Sequence, residues 1–140
     1  MSHLAAQKEL AVTAPRWPVW IGRTLSGLVI LFLVMDAGMK FAALPVVTES
    51  AVMIGWTADP GFWRAMGLLL LAITALYAWP LTAVLGAILL TGFLGGAVAT
   101  HLRMSDPLFS HTLFGVYLGV ALWGGLWFRD ARVRHLLPIG

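Results

Sequence analysis

The sequence predicts an all-α, integral membrane four-helix bundle with both termini in the cytoplasm. Three observations carry that prediction. Hydrophobic residues make up 60% of the 140-residue chain and charged residues only 11%, against about 25% charged in soluble domains. A chain this short has too much surface to hide so much apolar area from water. Apolar runs long enough to cross a bilayer recur four times, and the basic residues between them are unevenly shared.

Residues 1–16 read as a short flexible tail rather than a cleavable signal peptide, since no small-residue cleavage site follows the first apolar run. The first span is expected over about 18–40, with Pro18 in its first turn, where a missing N–H costs nothing. Arg23 near its start is within snorkelling distance of the headgroups. Residues 41–60 hold Pro45, Glu49, Trp56, Asp59 and Pro60, and the apolar middle is too short to span. That segment reads as interfacial, with a short helix anchored by Trp56. Asp59-Pro60 supplies an N-cap and a first-turn proline for the second span, about 61–79. Trp79-Pro80 ends it. The third span is expected over about 81–103. Ser105 or Asp106 is expected to cap the fourth, about 107–128, and residues 131–140 read as a C-terminal tail. The transmembrane domain is thus 17–130.

Four spans return both termini to one side. Lys8, Arg16, Arg23, Arg129, Arg132 and Arg134 fall on that side, against Lys40, Arg64 and Arg103 on the other. Six against three places the termini in the cytoplasm. Gly92-x-x-x-Gly96 and Gly115-x-x-x-Gly119 read as small-residue grooves through which the third and fourth spans pack most closely. Packing alone accounts for such grooves; room for a flat ligand is the sharper alternative.

The chemistry-bearing residues gather at the other end. Asp36 and Lys40 are four apart, with the acid first, the favourable order for an ion pair. His101 and Arg103 close the third span, and His111 lies about one turn into the fourth. Ionisable groups within spans usually face the bundle interior and mark functional sites. The expected arrangement therefore has both histidines facing inward, Asp36 within reach of one of them, and Arg103 facing a ligand. Ser110, next to His111, is expected to face elsewhere on the helix. An interfacial ion pair and headgroup anchors are the structural alternatives for Asp36–Lys40 and for Arg103. The spacing carries no metal signature, no cysteine is present for thiol chemistry, and no basic stripe suited to nucleic acid appears. No nucleophile–base–orienter set is visible. A quinone or another flat apolar molecule suits the residues best, because histidine and arginine donate to its carbonyls and histidine relays a proton.

The run from Leu76 to Arg103, with its Gly95-Gly96-Ala97-Val98-Ala99-Thr100-His101-Leu102-Arg103 core, is followed by Pro107-Leu108-Phe109-Ser110-His111 and by Leu122-Trp123-Gly124-Gly125-Leu126-Trp127-Phe128-Arg129-Asp130. Over roughly residues 55–135 this resembles the DoxX-like family of small four-helix bacterial membrane proteins. The Asp36-x-x-x-Lys40 ending of the first span also fits its style. The resemblance implies a multi-pass protein of the bacterial plasma (inner) membrane, and it raises a quinone ligand and a redox enzyme partner as expectations. Three functions compete. One is a redox-associated subunit binding quinone or a similar molecule in an outer-leaflet pocket. Another is a non-catalytic anchor or assembly partner. The third is a small transporter, for which four spans leave little room unless the chain forms a homo-oligomer. None of the three makes the chain an enzyme on its own.

Overall fold

The computed structural model describes residues 17–136, and every regular element among them is helical. These are α1 (Trp17–Phe41), α2 (Pro45–Met53), α3 (Pro60–Ala78), α4 (Ala83–Arg103), a π-helical turn (Leu108–Thr112), α5 (Phe114–Arg129) and α6 (Ala131–Leu136). Residues 1–16, expected as a tail, and 137–140 lie outside the described residues. Four of these stretches are long and apolar enough to cross a membrane: α1, α3, α4 and the continuous segment Leu108–Arg129.

The boundaries follow from local chemistry. Asp59 caps α3 by accepting from the Phe62 N–H at 2.8 Å, and Pro60 occupies its first turn. Trp79, extended ahead of Pro80, ends the helix. Pro45 opens α2, which lies between the first two spans. The fourth span starts differently from expectation. Pro107 flanks it without a side-chain cap, because the Asp106 carboxylate is bound to His101 instead.

The spanning helices form a closed ring, α1 against α3, α3 against α4, α4 against α5, and α5 back against α1. Leu33, Leu70, Tyr77, Leu90, Leu122 and Leu126 fill the centre and are almost wholly buried. Leu28, Leu31, Leu68, Leu85, Ile88 and Val120 point outward, as the lipid-facing side of a membrane bundle must, since lipid tails are as apolar as leucine.

The closest approaches differ from the sequence expectation. The first helix packs more extensively on α3 and α5 than α4 does on α5. A Cβ at Gly22 would lie 2.6 Å from the Arg129 nitrogen, and one at Gly125 would lie 2.6 Å from the Ser26 oxygen. Gly67 abuts the backbone of Ala37 and Phe41, and Gly86 abuts that of Tyr77. Of the four glycines expected to pack, only Gly115 does, against Leu94 and Val98; around Gly92, Gly96 and Gly119 there is open space. Spacing fixes which residues share a face, but not which way that face points. The segment expected as a C-terminal tail also holds structure, since α6 buries Val133 against the core.

Candidate functional site

The end of the bundle away from the termini, called the distal end below, carries the titratable residues singled out from the sequence. Its centre is the hairpin from His101 to Thr112. His101 Nδ1 and Asp106 Oδ2 lie 2.6 Å apart, with both side chains about one quarter exposed. The His111 ring centroid is 6.1 Å from that of His101. Two backbone irregularities produce this arrangement. Ser105 adopts φ +58°, a left-handed conformation that costs a non-glycine residue of order 1 kcal/mol. The turn after Pro107 is π-helical, with the Thr112 N–H donating to the Pro107 carbonyl at 3.3 Å. Such turns are rare and occur frequently at functional sites. The Thr112 hydroxyl donates to the Asp106 carbonyl at 3.3 Å and so ties the loop to the turn.

Other residues are placed less as expected. The Lys40 ammonium pairs with Asp36, so Asp36 is bonded to its own helix neighbour rather than to either histidine. Phe32 meets Phe114 edge to face at 5.3 Å, and Asp36 lies one turn beyond Phe32 on the same stripe of α1, on the side toward the hairpin. His101 is half-buried, but His111 is exposed rather than turned inward. Ser110 and His111 do meet, with Oγ 2.8 Å from Nδ1. The expectation that they diverge assumed a regular helix, which the π-helical turn is not. Arg103 is exposed and donates to the Ile54 carbonyl at 3.2 Å. It shares a face of α4 with Ala99, roughly opposite His101 at 100° per residue. Among the described residues no three His, Asp or Glu side chains gather as a metal site.

The terminal end holds a polar cluster that sequence reasoning missed. Tyr77 is fully buried. Its hydroxyl donates to the Leu122 carbonyl at 2.8 Å and accepts from Ser26 at 3.0 Å, joining α3 to α5 and α1. Arg129 lies 4.9 Å from the Tyr77 ring centre and donates to the Tyr77 carbonyl at 3.0 Å. Arg132 reaches the Pro80 carbonyl at 2.7 Å, and Arg134 donates to the Trp127 and Phe128 carbonyls. Arg129 and Arg134 thus satisfy carbonyls that helix ends leave without partners, and Arg132 does the same for the turn after α3. The Arg132 guanidinium bound to Asp130 holds that carboxyl below its ordinary range. A tyrosine in the last turn of an apolar run, next to last in Pro60–Ala78, is the signal that could have revealed this cluster, because a buried phenol needs a partner.

Neither the curated proteins nor the solved structures contain a match to this chain. Residues 24–125 match the DoxX-like family, a range that takes in most of the four spans, the distal hairpin and both members of the Ser26–Tyr77 bond; the chain belongs to that family.

Proposed function

We propose that this protein is a redox-associated membrane subunit that binds a quinone, or another flat apolar redox molecule, at the distal hairpin. It would sit in a bacterial inner membrane with both termini cytoplasmic and serve a redox enzyme as its partner. The observation that supports this reading is the His101–Asp106 bond at 2.6 Å with His111 alongside. An imidazole both donates and accepts hydrogen bonds, which matches a ligand whose oxygens change between carbonyl and hydroxyl. The carboxylate behind His101 fixes the orientation of its ring. His111, bonded to Ser110 through Nδ1, leaves Nε2 for a ligand. Asp36 and Lys40 neutralise each other beside the hairpin, so neither brings a net charge to an apolar molecule entering from lipid. The backbone irregularity at Ser105 and Leu108–Thr112 adds weight, because strain persists where the surroundings hold it in place for a role.

The alternative, an anchor or assembly partner, has its own support in the Arg103 bond to Ile54, which fastens α4 to the segment after α2 whether or not a ligand is present. One experiment separates the two. Protein in nanodiscs is titrated with a short-chain ubiquinone, read by quenching of tryptophan fluorescence. Quinone binding predicts saturable quenching, weakened about tenfold in His101→Ala and Asp106→Asn by loss of a charge-assisted hydrogen bond, with the bundle still assembled. Absence of saturable quenching in the wild type, or equal affinity in both variants, would sink the quinone reading and leave the anchor. The orientation is tested separately: the chain has no cysteine, so Ser105→Cys and Ala131→Cys should label from outside and inside respectively.

A further inference from the structure

The distal end has a second polar feature that the hairpin does not use. An open groove of about 400 Å³ lies between α4 and the segment after α2, lined by Gly55, Trp56, Ala99, Thr100 and Arg103. We propose that this groove is a specific site for the phosphate-bearing headgroup of an anionic phospholipid.

Charge is the first argument. Among the described residues Arg103 takes part in no ion pair; the bond the structure gives it goes to the neutral Ile54 carbonyl. A guanidinium carries five N–H donors in a planar fork suited to phosphate oxygens. Most of that fork is therefore available to an oxyanion. Thr100 directs its hydroxyl proton to the Gly96 carbonyl at 3.0 Å, so Arg103 is the charged donor of the groove.

Shape is the second. Gly55 adopts φ +78°, and a Cβ there would lie 3.0 Å from Arg103 Nη2. The bare backbone at this position lets the guanidinium come close against the turn. Trp56, stacked on Phe62 at a centroid distance of 5.7 Å, also lines the groove.

Depth is the third, and it selects a lipid over a free anion. Arg103 is the last residue of the 21-residue α4, which at 1.5 Å per residue spans about 31 Å, the thickness of the hydrocarbon layer. The groove is therefore level with the headgroups. Below it on the same face lie Gly96 and Gly92, with nothing within 4 Å of where a side chain would start. An acyl chain attached to the bound phosphate has a clear path down the helix.

The test measures lipid selectivity. Full-length protein is placed in nanodiscs containing phosphatidylglycerol and phosphatidylcholine, and the lipids retained after mild delipidation are counted by native mass spectrometry. The wild type should retain phosphatidylglycerol in preference to phosphatidylcholine. Arg103→Gln should lower that preference about tenfold, the equivalent of one charge-assisted hydrogen bond. Arg64→Gln, which removes an exposed arginine outside the groove, should leave the preference intact. Because the readout is a ratio between two lipids in one sample, general loosening of the bundle does not imitate it. The proposal is overturned if Arg103→Gln matches the wild type, or if Arg64→Gln lowers the ratio equally. It is also overturned if millimolar inorganic phosphate displaces the retained lipid, since the occupant would then be a soluble anion.

Discussion

The two ends of this bundle are built on opposite plans. At the terminal end backbones touch: Gly22 and Gly125 leave no room for a Cβ, and Tyr77 bonds two other helices from a fully buried position. Arg129, Arg132 and Arg134 there are committed to carbonyls or to Asp130. Toward the distal end Gly67 and Gly115 still pack against neighbours, but Gly92, Gly96 and Gly119 face open space, His101 is half-buried and His111 exposed, and the connecting loop holds a strained residue and a π-helical turn. The contrast shows where each job resides. The polar groups of the terminal end bridge one helix to another, Tyr77 from a fully buried position, whereas polar groups left half-bonded beside a groove and in a strained loop are available to something outside the chain.

The contrast can be broken most severely at the terminal end. Gly125→Leu should be the most damaging single change, because the new side chain meets the backbone and hydroxyl of Ser26, which cannot retreat. A loss of about 3 kcal/mol or more is expected, seen as a large drop in the unfolding midpoint in detergent; an unchanged midpoint would show that α1 and α5 do not touch there. Tyr77→Phe keeps the ring and removes the hydroxyl, so it should cost about 1 kcal/mol, in the range of hydrogen bonds measured inside membranes. In a double-mutant cycle with Ser26→Ala the two losses should be less than additive.

Changes at the distal end should do less. Ser105→Gly places at φ +58° a residue that tolerates it, and should raise stability by about 0.5–1 kcal/mol; if it also weakens quinone binding, the strain belongs to the site. The smallest effects are expected at Gly92→Leu and Gly96→Leu, within about 0.5 kcal/mol, since the added side chains enter lipid. A loss as large as that of Gly125→Leu would mean that another molecule covers this face.

The four spans were legible because hydropathy and length determine them regardless of partners. Asp59 as a cap and Trp79-Pro80 as a stop were legible for the same reason: both act within one turn of chain. Packing was not. Gly92-x-x-x-Gly96 and Gly22-x-x-x-Ser26 are equivalent as spacings, and only the second lies against a neighbour. The histidine pairing was half legible. Proximity in sequence brought His101 and His111 to one hairpin, but the Asp106 contact depends on a loop conformation at Ser105 that no periodic pattern encodes. The role of Arg129, Arg132 and Arg134 as helix-end donors was hidden behind their value as topology markers.

The closed ring also has a temporal side. The partner of the Gly22–Ser26 face is Gly125, about one hundred residues later in synthesis, so at 5–20 residues per second α1 waits in the bilayer for roughly 5–20 s before α5 emerges. Tyr77 arrives midway, 51 residues after Ser26. Their bond can form while the last helix is still inside the ribosome, holding the first hairpin together. The phenol O–H then still has a hydrogen bond to donate, and the Leu122 carbonyl accepts it when the ring shuts.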